Sequence, residues 1–270
     1  MSVNWARAFL VVAAIATLAP LAFMLGAAFK PEDEIFATAA NPLPFHPTFA
    51  NIAAALTQLP IAHMLGISVA FAAGVTLGQL AIAVPAAYVF ARDDVPFGGA
   101  LFALLVATLP IPFVVTYIPN YLLLASLGLL NTLAGLILPQ IASAYGIFLL
   151  RQHFRSFPRS VLEAARIDGA TRWQALWRIL VPANLPAVVA LGVYIFVNTW
   201  NQYIWPLLVA SDPKLFTLTV GVQNFANGEG GSRWGELMAA ALLATLPTVA
   251  AYVAVRRTLF ATLLEGAVTG

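Results

Sequence analysis

RQHFRSFPRSVLEAARIDGATRWQALWRILVP, residues 151–182, is the one long polar interruption in a chain that otherwise reads as hydrocarbon. Six of the thirteen lysines and arginines lie in it: Arg151, Arg155, Arg159, Arg166, Arg172 and Arg178. Apolar stretches of bilayer-spanning length stand on either side, so the segment reads as a structured loop at one face of a membrane. The composition agrees. The chain is 61% hydrophobic and 9% charged, with mean hydropathy +0.88, whereas a soluble domain carries about a quarter charged residues. With no cysteine, a disulfide framework, a thiolate metal site and a cysteine nucleophile are all excluded.

Six segments are apolar over about 20 residues, the length a spanning helix needs: residues 5–28, 61–91, 99–124, 132–150, 183–210 and 234–255. The first has Arg7 before its apolar run. It is too long for a signal-peptide core and lacks a clean small-x-small cleavage site, so it reads as a retained helix. An N-terminus inside the cell puts Arg7, Arg92, the six loop arginines, Arg256 and Arg257 on the cytoplasmic side. Only Lys30, Lys214 and Arg233 then fall outside. That asymmetry predicts cytoplasmic termini and a cytoplasmic 151–182 loop. The whole chain, 1–270, reads as one all-α, multi-pass domain of the cell membrane.

Between the first two spans, Pro31, Pro42, Pro44, Pro47 and Pro60 leave room for little more than a short helix over 49–59, which Thr48 or Asn51 could cap. Glu32, Asp33 and Glu34 read as a solvated face or the first turn of a short helix. Gly66, Ala70, Gly74 and Gly78 recur every four residues, a small-residue face suited to close helix packing in lipid. Pro110, Pro112 and Pro119 should kink the third span.

No catalytic constellation is visible. His46, His63 and His153 fall on opposite sides of the membrane and cannot converge on a metal. Asp93 and Asp94 are adjacent in sequence and would point apart on a helix. Every Lys, Arg, Asp and Glu lies near or beyond a span end except Glu236, just inside the sixth, so no proton relay crosses the bilayer centre. An intramembrane enzyme and an ion-coupled carrier both lack their required residues. The exception to apolarity is the fifth span, where Asn198, Asn201, Gln202 and Trp205 fall at i, i+3, i+4 and i+7. Such a face either binds neighbouring helices through hydrogen bonds or lines a path for a hydroxylated solute.

Within the loop, Ser160 and Glu163 have the spacing of a capping box for a helix VLEAARIDGA, with Arg166 turned away from the Glu163–Ala165 face. Gly169 then permits a tight turn. A second, amphipathic helix follows, with Trp173, Leu176, Trp177 and Leu180 on one side and Pro182 before the fifth span. Two short helices at an angle make a rigid knob. Glu163–Ala164–Ala165, three residues, Gly169, nine residues, Ile179, one residue, Val181 and Pro182 resemble the EAA motif of ABC-importer permeases, with Val181 where Leu is usual. EAARIDGA, with Asp168 before Gly169, resembles the carbohydrate-type permeases related to the maltose system. The resemblance extends over nearly the whole chain, through PLPFHPTFANI, LLRQHFRSFP and the C-terminal GAV-x-G. The runs WNQYIWPLL and NGEGGSRWGELMAAALLATLP resemble the second permease subunits of glycerol-3-phosphate uptake systems.

The resemblance implies a type I ABC-importer permease fold with six transmembrane helices. Glu163, Ala164, Ala165, Asp168 and Gly169 would form the coupling helix held by an ATPase dimer, and Gly266, Ala267 and Val268 would reach the same ATPase. ATP and magnesium would belong to that partner, with no cofactor, metal or catalytic residue in this chain. A sister permease completes the heterodimer, and a solute-binding protein docks outside through Asn227, Gly228, Glu229 and Arg233. Membrane lipid surrounds the assembly, and nucleic acid has no part. In this setting the fifth-span face, Asn198, Asn201, Gln202 and Trp205, is favoured as path lining. The implied solute is sn-glycerol-3-phosphate or a related glycerophosphodiester, with a di- or oligosaccharide of the maltose or trehalose kind as the alternative. A phosphate would favour a cation, yet no Lys or Arg lies inside a span; Arg233 is the nearest.

Overall fold

The structure, a computed structural model, describes residues 2–38, 41–92, 95–226 and 233–268. In chain order the helices are α1 (Ser2–Ala28), α2 (Glu32–Ala37), α3 (Ala50–Gln58), α4 (Ile61–Ala91), α5 (Gly98–Ala107), α6 (Tyr117–Ser126), α7 (Leu133–Ile137) and α8 (Ala144–Ser156). They continue as α9 (Arg159–Ile167), α10 (Arg172–Ala175), α11 (Val181–Ala183), α12 (Leu185–Trp200), α13 (Ile204–Val209), α14 (Leu218–Ala226) and α15 (Trp234–Val268). Short 3₁₀ turns precede α6 and follow α7, and a π turn over Leu176–Leu180 joins α10 to α11. Among the described residues there is no strand.

Among the described residues, only Trp5–Ala28 and Ile61–Ala91 are continuous helices long and apolar enough to cross a membrane. Leu133–Gln140 with Ala144–Ser156, bent by 49°, and Arg172–Ala183 with Leu185–Trp200, bent by 80°, qualify as pairs. Proline explains two of the interruptions, because its ring strikes the carbonyl four residues back and it donates no hydrogen bond to it. Pro112 faces Thr108, where α5 ends. Pro206 faces Gln202, where the expected 183–210 helix stops and restarts as α13. The third span is thus cut in two rather than kinked, and the fifth is not one rod. The fourth helix also runs through Ser156, so Arg151 and Arg155 belong to α8 and not to a loop.

The chain divides into two compact units, Met1–Gly66 with Phe216–Thr248, and Ile67–Leu215 with Val249–Gly270. In the first, Ala28, Ala55, Ala239 and Ala240 form a fully buried small-residue core. Asn51 does not cap α3. Its amide donates to the carbonyls of Ala27, Ala28 and Lys30 at 3.4, 3.2 and 2.7 Å, closing the C-terminal end of α1. Thr48 Oγ1 accepts the Ala50 N–H instead. The acidic run does begin a short helix, with Glu32 and Asp33 exposed and Glu34 buried. Glu32 accepts the N–H groups of Trp234 and Gly235 at 2.9 and 3.1 Å, a carboxylate at the positive end of α15. Glu34 is buried and accepts the N–H groups of Phe45 and His46 at 2.6 and 3.1 Å. The Phe45 N–H, with help from His46 and Lys30, holds its carboxyl below the ordinary value against an opposing desolvation. Lys30, also buried, donates to Thr38 and to the Asn41 carbonyl.

In the second unit Gly74 and Gly78, two of the four small residues spaced by four, provide the expected close packing, whereas Gly66 has nothing within 4 Å of its Cβ. A Cβ at Gly74 would lie 2.5 Å from Ile137 Cδ1, and one at Gly78 would lie 2.6 Å from Ile141 Cγ2. The bent 133–156 segment therefore packs directly on the α4 backbone. Arg151 fastens the far end, donating Nε to the Phe90 carbonyl at 2.8 Å and lying 3.8 Å from the Phe102 ring centroid.

Candidate translocation face and coupling knob

The knob is built differently from the sequence expectation. Pro158 stands at the N-cap of α9 and no side chain caps it, so Ser160 and Glu163 form no capping box. The box occurs one helix later: Gln174 N–H donates to Thr171 Oγ1 at 3.2 Å, and Thr171 N–H donates to Gln174 Oε1 at 2.9 Å. The signal, T-x-x-Q, was present in the sequence. At the other end of α9, Ala170 N–H reaches the Ala165 carbonyl and Gly169 N–H the Arg166 carbonyl, at 2.9 and 3.0 Å. This is a Schellman closure, and it sets Gly169 at φ +86°, where an L side chain is strained. The motif glycine therefore ends the helix and aims the chain into α10.

Burial then sorts the knob. Ala165 faces inward, while Glu163, Ala164, Asp168 and Gly169 are exposed. Ile167 is 87% exposed, an unusual position for an isoleucine at the apex of a polar turn. Arg166 is not turned away from Glu163, since both line one hollow. The aromatic face of the second helix splits. Leu176 and Leu180 are buried, whereas Trp173 and Trp177 form an exposed ring pair with centroids 5.7 Å apart.

The polar residues of the fifth span do not share one face, because the helix stops between Trp200 and Ile204. Asn198 and Asn201 are exposed, each donating to the carbonyl four residues back in α12. Trp205 belongs to the core: it is fully buried, donates Nε1 to the Leu136 carbonyl at 3.1 Å, and meets the rings of Phe113 and Tyr117. Gln202 joins a network the sequence reading missed. Its Nε2 donates to Gln140 Oε1 at 2.7 Å, and Gln140 Nε2 donates back to Gln202 Oε1 at 3.0 Å. From α4, Gln79 Nε2 donates to the Gln140 carbonyl at 2.7 Å. These glutamines, with Ser143, Tyr145, Tyr194, Asn198 and Thr199, line a hollow of about 170 Å³. Tyr145 and Tyr194 stand exposed beside it with ring centroids 5.1 Å apart. Lone glutamines in apolar runs, at 79 and 140, were the available signal; attention to charge alone passed over them.

In the first unit, Arg233 is already engaged. Its guanidinium meets Glu236 at 3.2 and 3.1 Å and Gln58 at 2.7 Å. Asn227, Gly228 and Glu229 lie outside the described residues, as do Asp93 and Asp94. The backbone of Gly266, Ala267 and Val268 continues α15, so this stretch is a helix end rather than a loose tail. Among the described residues no group of three or more His, Asp and Glu side chains could hold a metal ion.

Residues 83–261 match the family described as "Binding-protein-dependent transport system inner membrane component". The "sn-glycerol-3-phosphate transport system permease protein UgpE" of Pectobacterium atrosepticum is 32% identical over 250 residues, covering 90% of this chain and 89% of that protein. The protein of the same name from Salmonella typhi is 34% identical over 247 residues, covering 89% and 88%. Among solved structures, a chain of a bacterial ABC transporter involved in import of the acidic polysaccharide alginate superimposes with TM-score 0.83 at 20% identity, over 94% of this chain and 95% of that one. The helical architecture is therefore that of an ABC-transporter permease, a transport component and not an enzyme, and this chain belongs to the family of binding-protein-dependent transport system inner membrane components.

Proposed function

We propose that this chain forms half of the translocation path for sn-glycerol-3-phosphate or a related glycerophosphodiester in an ATP-driven importer. The observation that carries the reading is the uncharged face of exposed Tyr145, Tyr194 and Asn198 beside the Gln79–Gln140–Gln202 network. In a chain this apolar, a run of exposed hydroxyl and amide groups is costly against lipid and suited to a solute rich in hydroxyls. The kinship to permeases named for glycerol-3-phosphate supports the solute choice. The face offers donors and acceptors for glycerol hydroxyls and no cation for a phosphate, and Arg233 already holds Glu236. The phosphate charge is met by the sister permease or the binding protein. The same uncharged face, with its tyrosine pair, favours a di- or oligosaccharide as the second reading.

In this arrangement six spans, formed by α1, α4, α5 with α6, α7 with α8, α12 with α13, and α15, work as one permease domain with both termini cytoplasmic. The exposed Glu163, Ala164 and Asp168, set by the Gly169 turn, dock on the ATPase dimer, where ATP and magnesium reside. Gly266, Ala267 and Val268 contact the same partner, and Asn227, Gly228 and Glu229 approach the binding protein. The test uses the assembled transporter in liposomes. Glu163→Ala and Gly169→Val should leave solute capture by the binding protein intact and abolish solute-stimulated ATP hydrolysis. Unchanged stimulation would sink the coupling role. A partner binding protein that takes maltose or trehalose tightly and ignores glycerol-3-phosphate would overturn the solute.

A further inference from the structure

A second hollow, of about 230 Å³, lies under the knob. Arg92, Arg155, Arg159 and Arg166 line it, with Glu163 as the one acidic residue among the lining residues. Its remaining wall is apolar and includes the buried Phe154 and Leu180. We infer that this hollow is a site for the headgroup of an anionic phospholipid. Three features converge on that ligand. First, guanidinium forks hold phosphate oxygens in pairs, and four arginines around one hollow suit an anionic group. Arg92, Arg155 and Arg159 also have partners within the protein.

Second, the hollow lies at the end of a span, since Arg92 directly follows the apolar helix α4. An exposed Trp173–Trp177 pair stands on the segment that also supplies Ala175 and Leu180 to the wall. Tryptophans concentrate at this boundary because their rings prefer the interface to either phase. Third, the mixed wall fits an amphiphile. A free phosphate ester has no use for Phe154 and Leu180, whereas a lipid presents its glycerol and first methylenes to them. Glu163 then accepts from a headgroup hydroxyl, which suits phosphatidylglycerol. Because Glu163 also belongs to the knob, occupancy of the hollow bears on the geometry of the knob. The assignment rests on the membrane location and on the lining residues, not on the coupling role, so either can fail without the other.

The test is native mass spectrometry of the purified full chain, titrated with phosphatidylglycerol or phosphatidylcholine in detergent. The expected result is preferential retention of phosphatidylglycerol. An arginine held against an anionic headgroup contributes about fivefold to its binding. Arg155→Gln with Arg166→Gln should therefore weaken retention about twenty-five-fold, and Arg178→Gln, an exposed arginine away from the hollow, should not. Arg155→Lys with Arg166→Lys should keep the charge and most of the binding. If the double glutamine variant is poorly folded by circular dichroism, Arg166→Gln alone should still show about a fivefold loss. Equal retention of both lipids, or undiminished retention by the glutamine variants, would overturn the proposal. Displacement of the lipid by soluble glycerol-3-phosphate at similar concentration would overturn the lipid source in favour of a free phosphate ester.

Discussion

Replacing Gln202 by Leu tests whether the glutamine network holds the broken spans together. Two reciprocal bonds, 2.7 and 3.0 Å, join Gln202 to Gln140. Interhelical side-chain bonds in membrane proteins contribute about 0.6 kcal/mol each and up to about 1.7, so the pair is worth about 1–2 kcal/mol. Gln202→Leu does more than delete them. Gln140 is only 6% exposed, and its Oε1 loses its donor, which adds a desolvation penalty of about 1–3 kcal/mol. Its Nε2 keeps the Leu136 carbonyl at 3.3 Å, and its own carbonyl keeps Gln79, so the loss stays local. A single Gln202→Leu should then destabilise by about 2–5 kcal/mol. The double variant Gln140→Leu/Gln202→Leu should cost less than the two singles combined, because no stranded amide remains. A double-mutant cycle on unfolding in bicelles should return a coupling of about 1–2 kcal/mol. Additivity within about 0.5 kcal/mol would refute the reasoning. It would mean that water satisfies each amide separately and that the network does not brace the spans.

Two further outcomes follow from the packing. Gly74→Val should destabilise by about 1–3 kcal/mol through overpacking against Ile137. Gly66→Ala, with nothing within 4 Å of its Cβ, should stay within about 0.5 kcal/mol; thermal unfolding of the two chains in one detergent makes the comparison. Glu34 gives a pH dependence. Its carboxyl is held below the ordinary value by the N–H groups of Phe45 and His46. Its contribution is therefore complete above the unfolded-state value and is lost as pH falls through the lowered one. Hydrogen exchange at the Phe45 and His46 amides should speed up over that acidic window in the native chain. In Glu34→Gln, exchange should be fast already at neutral pH, and a flat, slow profile there would contradict the assignment.

Much of the fold was legible because period, length and charge placement act locally. A 31-residue apolar run can only be a long helix in lipid, and α4 matches the expected 61–91 limits. Gly169 was legible for the same reason, since ending a helix at a positive φ is a property of one residue. The breaks were less so. Counting apolar residues is blind to where a ladder of hydrogen bonds is cut, and Pro206 cuts it at Gln202, which moved Trp205 from an expected path face to the core. The glutamine network was hidden for a different reason. Gln79, Gln140 and Gln202 are distant in sequence, and only packing on Gly74 and Gly78 brings their segments together.

The breaks and the amides are two halves of one solution. A helix interrupted in hydrocarbon leaves carbonyls that no water can reach, and each must find a donor or the break is not tolerated. The Gln140 carbonyl, at the bend of the 133–156 pair, takes the Gln79 amide from the unbroken helix beside it. The Leu136 carbonyl, one turn earlier, takes both Trp205 Nε1 and Gln140 Nε2. At this bend polar side chains from three segments, Gln79, Gln140 and Trp205, donate to main-chain carbonyls. Such a design leaves short helical pieces joined by hydrogen bonds rather than by a rigid ladder. Those pieces can move past one another at the cost of a few exchangeable bonds. The uncharged tyrosine and asparagine face proposed as path lining stands beside this network.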